Sequence, residues 1–529
     1  MSRPTPMDRR TLLRRGLQVG TVVAGAAIAA TAIEDHRHRG APSTTTTTST
    51  LEPPTPSDWA ALAASLAGSL VRPGAAAYAS DALLYNAKFV DLHPQGIAYC
   101  ASASDVARCV AFASAHRVGL AARSGGHSYG GYSSSPGLVV DVSRLSSVSV
   151  DEGAATATVG AGARLIDVYD TLAGHGLLLP SGSCPTIGIA GITLGGGIGV
   201  FARRYGLTSD HVTSLRLVTS DAVEVTASAD EHADLLWASR GGGGGNFGIA
   251  TEFTFSLHPI PEVTLFTLQY PWTAAATMLE AWLHWVEGAP DELWADCQLL
   301  SQGDYGYLAQ VTGVYCGSAS ALAGPLAALE RAIGVTPTYR FVGAKDYLDA
   351  MAIEAGCAGL SIAACHLSTQ NPAGRLARSA YSAKSSYVKG PMTGAGVASL
   401  VEAVQRLHAD APTVGGGLAF DAYGGAVNRV AANATAFVHR DTLACIQATY
   451  SWGAATPASE IDAGARWLTW LGEAVFDPAT GAYQNYIDPT LRDWANAYYG
   501  ANLDRLEDVK RRYDPENRFH FAQSIPLAR

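Results

Sequence analysis

An α+β fold in two globular domains is what this sequence predicts, on two observations. From about Asp58 helical and extended segments alternate, and beyond Pro259–Pro261 glycine clusters thin out while longer alternating strands and three tryptophan-bearing helical segments take over. With 529 residues, 48% hydrophobic and 16% charged, the chain is long enough for more than one core and too apolar to be disordered.

The first 40 residues are a separate object. "MDRRTLLRRGLQVGTVVAGAAIAATAIE" sets Arg9, Arg10, Arg14 and Arg15 ahead of an uncharged run from Gly16 to Ile33, with small residues at Ala30 to Ala32 for cleavage. This reads as a secretory signal of the twin-arginine type, and the alternative is a membrane anchor if it stays uncleaved. A protein exported by that route, to the cell envelope or beyond, leaves the cytoplasm already folded. Residues 41–57, "APSTTTTTSTLEPPTPS", have too little apolar surface to fold and read as a tether.

The elements of the first domain, residues 58–261, follow in order. "ASDVARCVAFASAHRVGL" has helical spacing, and "AARSGG" is a short strand running into a glycine loop. "GLVVDVSRLSSVSVDEGAATATVGAGA" reads as successive strands, "RLIDVYDTLAGHGLLLP" as a helix ended by Gly174 or Gly176, and "SLRLVTSDAVEVTAS" as a hairpin turning at Ser220 to Ala222. Residues 262–478 form the second domain, with an antiparallel sheet. The last segment, 479–529, ends in a helix stopped at Asp514-Pro515.

Charge and cysteines exclude some functions. The first 40 residues carry seven arginines against Asp8, Glu34 and Asp35, so the remainder is more acidic than the overall −10. An acidic body without a basic stripe argues against nucleic acid as a partner. None of the eight cysteines forms a CxxC pair, so no metal site is expected, whereas one or two disulfides of unreadable pairing suit an exported chain.

Four stretches could carry chemistry. "RSGGHSYGGY" places His127 among glycines, with Ser124 and Ser128 as hydroxyl donors beside a backbone able to nest an anion; alone, it is equally a surface turn with a solvated histidine. "LPSGSCPTIGIAGITLGGGIGVFARRYGL" sets Cys184 in a glycine-rich loop, as a reactive thiol or a buried small hydrophobe. "RGGGGGNFGIATEFTFSLH" satisfies GxGxxG at Gly243, Gly245 and Gly248, but a strand follows where a dinucleotide fingerprint needs a helix, so only a backbone cradle remains. "AYQNYIDP" brings Tyr483 and Tyr486 around Asn485, as a proton acceptor with a lowered phenol pKa or as aromatics packing a domain seam.

Together, in this order, the four stretches resemble the berberine-bridge-enzyme-like FAD-linked oxidoreductases, a branch of the vanillyl-alcohol-oxidase type. The resemblance runs from Ser57 to Leu527 through "RSGGHS", "GSCPTIGIAG" with "GGGIG" and "RRYGLTSDHV", "GGGGNFGI", and the closing "YQNYID…YYGANLDRLEDVKRRYDPENRF…QSI". It implies a PCMH-type FAD-binding domain of two α/β subdomains, a substrate domain whose antiparallel sheet is covered by helices, and a C-terminal segment returning to the FAD domain. It implies FAD bound covalently twice, through His127 to the 8α-methyl and Cys184 to ring carbon 6. Arg123, Ser124, Gly125, Gly126 and Ser128 would cradle the pyrophosphate, with Gly188, Gly191, Gly195, Gly196, Gly197, Gly199 and Ile249 near the flavin. Tyr486 would take the substrate's hydroxyl proton, Asn485 and Tyr483 would support flavin or base, and Gln447 and Tyr423 would face the substrate.

Two positions depart from the family pattern. Cys445 stands where some members carry a lysine, which leaves a lowered tyrosine pKa unexplained, and Ile187 stands where a valine admits oxygen. The expected activity is oxidation of a hydroxyl group on a carbohydrate, glycoside or natural product, with dioxygen as acceptor. The alternatives are a dehydrogenase using another acceptor and a noncatalytic exported flavin- or carbohydrate-binding protein.

Overall fold

The computed structural model describes residues 53–392 and 394–527, so the signal segment and most of the tether lie outside the described residues. The tether ends earlier than its composition suggests. Thr55 caps a helix over Pro56–Ser65 through a reciprocal hydrogen-bond pair with Asp58.

Three main sheets carry the described chain. The first has the order β1-β2-β4-β3, with β1 (Ser69–Val71), β2 (Gly96–Tyr99), β3 (Leu120–Arg123) and β4 (Leu138–Asp141). β2, β4 and β3 run parallel, and β1 adds an antiparallel edge. The helix Ala103–His116 connects β2 to β3; Ser102 caps it and Arg117, left-handed at φ 51°, ends it. The glycine loop therefore leaves the carboxyl end of a parallel strand, where open α/β sheets bind ligands.

The second sheet is antiparallel, in the order β5-β6-β10-β8-β9: β5 (Val148–Asp151), β6 (Thr156–Gly160), β8 (Val212–Val218), β9 (Glu224–Ser228) and β10 (Ile249–Ser256). β8 and β9 are the expected hairpin, with Ala222 at φ 63° in its turn. The expected helix is Leu165–Gly174, with Gly176 at φ 67° just beyond it. The short β7 (Leu177–Leu178) and β11 (His258–Pro259) pair beside it.

The third sheet has seven antiparallel strands, ordered β15-β12-β14-β13-β17-β18-β16. They are β12 (Val263–Tyr270), β13 (Leu293–Gln302), β14 (Tyr307–Cys316), β15 (Tyr339–Lys345), β16 (Ala380–Val388), β17 (Gly415–Ala422) and β18 (Ala444–Trp452). Strand alternation splits its residues between two faces. Phe266, Val311, Leu299 and Phe420 lie on one, where Trp282 and Trp285 of the helix Ala275–Glu287 meet Phe420 and Phe266 at ring distances of 6.2 and 6.3 Å. Gln269, Gln310, Gln298, Asp296, Asp421 and Gln447 lie on the other. Not every tryptophan segment is helical: Trp467 and Trp470 are on the helix Ala458–Trp470, but Trp294 is in β13.

The C-terminal helix Leu503–Tyr513 folds back onto the glycine-rich turn before β10. Lys510, fully buried, donates to the Asn246 carbonyl at 2.8 Å and pairs with Asp514 at 2.6 Å, while Asn246 Oδ1 accepts from the Ile525 amide at 2.9 Å. Cys357 and Cys365 form a disulfide that the sequence left unpaired.

Candidate active site

The glycine loop after β3 is a backbone structure. A Cβ on Gly125 would stand 2.2 Å from the Gly188 amide nitrogen, so only glycine lets the two loops touch. Ser124 Oγ donates to the Ala161 carbonyl at 2.7 Å, the Ser124 carbonyl accepts from Arg164 at 2.7 Å, and Ser128 Oγ accepts from the Tyr132 amide at 3.1 Å. The Arg123 guanidinium is engaged by Asp141 at 2.5 Å and the Asp81 carbonyl at 2.8 Å, so it anchors the strand end and leaves phosphate cradling to the backbone.

His127 and Cys184 meet at one hydroxyl. His127 Nε2 lies 2.9 Å from Thr186 Oγ1, and Cys184 Sγ lies 3.9 Å from the same oxygen. The imidazole stacks on Tyr85 at 4.0 Å and 19°. Burial, then the Arg164 charge, push the His127 pKa down to about 3, which leaves the ring neutral. Burial raises the Cys184 thiol.

The second glycine cluster divides into two tasks. Gly188 caps the helix Ile189–Leu194, and Gly191 on that helix is exposed, with nothing within 4 Å of a would-be Cβ. Gly195 and Gly197 instead receive the C-terminal segment, and Gly196 between them packs against Phe437. A Cβ on Gly195 would sit 1.9 Å from Asn485 Oδ1. The Tyr483 oxygen accepts from the Gly197 and Ile198 amides at 2.9 and 3.3 Å and from Asn485 Nδ2 at 2.9 Å, and Asn485 also donates to the Ile192 carbonyl at 3.0 Å. Tyr483 and Asn485 are thus a clamp that sets the position of Tyr486 next to them.

Tyr486 faces the polar side of the seven-stranded sheet. Its hydroxyl donates to Asp421 Oδ2 at 3.2 Å, and its ring stacks on Tyr129 at 5.5 Å and 20°. Gln447 Nε2 donates to the Tyr129 hydroxyl at 2.8 Å. Burial, then the Asp421 charge, hold the Tyr486 phenol well above its ordinary range, the reverse of the lowered value expected from the sequence. Asp421 itself is pushed up to about 6 by burial, offset by the Tyr486 hydrogen bond. The structure does not bring Tyr423 to the cavity: it is fully buried, packed with Tyr387, Phe437 and Cys445.

These groups share a cavity of about 590 Å³ lined by the loop from Arg123 to Tyr129, Cys184, Ile187, Gly188, Gly191, Gly199, Gly243 to Gly245, Ile249, Asp421, Gln447 and Tyr486. Such a volume suits an organic cofactor with its substrate. The bare surface of Gly191 and a Ser134 hydroxyl without a partner in the lining fit a bound flavin nucleotide. Sequence reasoning missed Asp421, Tyr129, Thr186 and Arg164. An acid inside the apolar alternation "GLAFDA" was the available signal for Asp421; Tyr129 and Thr186 lay inside motifs already noted.

Comparison with known proteins agrees with this geometry. The family model for an FAD binding domain matches residues 94–228, and the berberine and berberine-like model matches 482–526. An uncharacterised FAD-linked oxidoreductase of Bacillus subtilis is 32% identical over 445 residues, covering 83% of this chain and 93% of its own. The chitooligosaccharide oxidase of Gibberella zeae is 30% identical over 472 residues, 85% of this chain and 91% of its own. The solved structure of Physcomitrella patens BBE-like 1 superposes with a TM-score of 0.80 at 29% identity, covering 89% of this chain and 99% of that one. The chain belongs to the berberine-bridge-enzyme-like FAD-linked oxidoreductases and is an FAD-dependent enzyme of the PCMH-type α+β fold.

Proposed function

We propose that the enzyme oxidises a CH–OH group of a carbohydrate, glycoside or related natural product, with Tyr486 and Asp421 as a two-residue base. The carrying observation is the 3.2 Å hydrogen bond from Tyr486 to Asp421 in the cavity that also holds His127 and Cys184. A phenol held so far above neutrality is not a free phenolate. It acts by relay: the substrate hydroxyl gives its proton to the Tyr486 oxygen as Tyr486 passes its own proton to Asp421. Asp421, ionised above about pH 6, is the proton's final acceptor. Tyr129, held by Gln447, walls the position over which the substrate sits. When bound, FAD would supply the two-electron oxidant for the substrate carbon. A lysine at position 445 is not required, because the carboxylate does the work a lowered tyrosine pKa would do.

Attachment of FAD through both His127 and Cys184 is supported by their convergence on Thr186 at the cavity wall. Export is supported by the twin-arginine pattern and by the Cys357–Cys365 disulfide, a bond of oxidising compartments. The carbohydrate reading draws on the chitooligosaccharide oxidase among the relatives. The deciding experiment is an anaerobic flavin-bleaching screen against sugars, glycosides and alcohols. Bleaching by members of that panel is expected, and no bleaching by any of them sinks the reading. The second reading, a dehydrogenase with an acceptor other than dioxygen, rests on Ile187 in the cavity wall three residues past Cys184. Mixing the reduced protein with air-saturated buffer separates the two, since slow flavin reoxidation counts against an oxidase.

A further inference from the structure

We infer that Gln523, in the closing "QSI" stretch, is a cofactor-binding residue: its carboxamide oxygen accepts a hydrogen bond from a hydroxyl or N–H of the flavin nucleotide, while its nitrogen holds the turn that carries Tyr486. The inference rests on FAD as the cofactor and not on the role given to Tyr486.

Gln523 is 3% exposed and lines the cavity. Its Nε2 donates at 2.8 Å to the carbonyl oxygen of Asp488, two residues beyond Tyr486. A carbonyl only accepts, so the nitrogen is the end that faces Asp488 and the oxygen is the end that faces away. That oxygen, Oε1, is buried and has no hydrogen-bond partner among the described residues. Buried polar groups are nearly always paired, so an acceptor left free in a cavity lining points to a donor that comes from within the cavity.

The stretch around Gln523 is fastened on both sides. The Phe519 amide donates to Asp514 Oδ2 at 2.9 Å, the Phe519 carbonyl accepts from Lys510 at 2.7 Å, and the Ile525 amide donates to Asn246 Oδ1 at 2.9 Å. With the chain pinned at both ends and Nε2 engaged, Oε1 keeps its direction.

The neighbours of Gln523 belong to the cofactor side of the cavity. Phe521 packs on Tyr132 at 4.8 Å, which joins the closing stretch to the glycine loop that begins at Arg123. Ser134 in that same loop is a second buried group in the lining without a partner. Asn246, which receives Ile525, ends the glycine-rich turn from Gly243 that also lines the cavity. A flavin nucleotide carries the donors Oε1 lacks, in its ribityl and ribose hydroxyls, its adenine amino group and the flavin N3–H. One carboxamide thus meets the cofactor at one end and the Tyr486 turn at the other.

The crystal structure of the flavin-loaded protein without substrate tests this directly. Gln523 Oε1 should lie about 2.7–3.2 Å from an oxygen or nitrogen of the flavin nucleotide. A water or a protein group as its only donor overturns the proposal. Titration gives a second readout. In the H127A/C184A background, which leaves FAD held by noncovalent contacts alone, Gln523→Met should raise the FAD dissociation constant about tenfold, the loss of one hydrogen bond. By linkage, Q523M should then lower the Tm of the flavin-loaded form more than that of the flavin-free form. A dissociation constant within about twofold of the parent, or equal Tm losses in the two forms, means that Gln523 serves only the Asp488 turn and overturns the proposal. If Q523M does not fold, the crystal structure decides. If FAD leaves the wild-type protein on acid precipitation, the covalent reading of His127 and Cys184 fails, and the same titration is made in the wild-type background.

Discussion

The two walls of the cavity are made of different material. The wall around His127, Cys184 and Gly191 is mostly backbone: glycines that let chain touch chain, the Ser124 hydroxyl turned onto the Ala161 carbonyl, and arginines engaged beneath. The wall facing it is one side of a seven-stranded sheet, where Asp421 and Gln447 project from adjacent strands, Asp421 onto Tyr486 and Gln447 onto Tyr129. Backbone suits a permanent guest such as a cofactor, because it fixes shape with little titratable chemistry. Proton transfer needs side chains whose charge can change, and those occupy the opposite wall.

Substitutions on each wall should separate these roles. The largest effect is expected from Tyr486→Phe and Asp421→Asn, each lowering kcat/KM by between about 10² and 10⁴ while FAD content stays at the wild-type level. Loss of flavin in either variant would erase the distinction between the walls. In the wild type, activity should rise with pH through about 6 as Asp421 ionises, because its folded pKa is raised and the ionised form is the working one.

Next is Gly191→Leu, which fills the bare patch of the cofactor wall. Overpacking of about 1–3 kcal/mol should lower the flavin content of purified protein about tenfold, and unchanged content would show that the patch is not a cofactor surface. Thr186→Val removes the hydroxyl shared by His127 and Cys184. Leaving His127 Nε2 unpaired should cost about 1–3 kcal/mol in thermal stability and reduce the yellow colour retained after acid precipitation. Unchanged acid-stable colour would detach Thr186 from flavin attachment.

The smallest effect lies away from both walls, at the His366–Asp167 pair, 3.1 Å apart. The Asp167 hydrogen bond raises the His366 pKa, so its stabilisation is fully present below the unfolded histidine value of about 6.5 and lost as pH rises through the folded value. His366→Gln should cost less than about 1 kcal/mol, with a Tm difference visible near pH 5.5 and absent near pH 9. An equal difference at both would remove the charge from the explanation.

The contrast between the walls also explains what could be read in advance. His127, Cys184 and the glycines between them stand in contiguous motifs, because a loop that wraps a ligand does so with consecutive residues. Asp421 and Gln447 reach the cavity from separate strands of one sheet, so no local pattern announces them together. Tyr423 failed for a related reason: it lies one residue past the end of β17, where alternation no longer governs direction, and it turned into the aromatic core. Arg123 reads as a phosphate ligand in the motif, but pairing with Asp141 across the parallel β3–β4 ladder claimed it.

The order of the walls along the chain has a consequence for synthesis. Cys184 precedes Tyr486 by 302 positions, and at ribosomal rates of about 5–20 residues per second the base emerges about 15–60 s after the flavin-side loops. The clamp of Tyr483 and Asn485 on the glycine cluster is made only by that late segment. On the proposed reading of Tyr486, a chain interrupted anywhere in between would hold the parts of the cofactor wall without the residue that starts turnover.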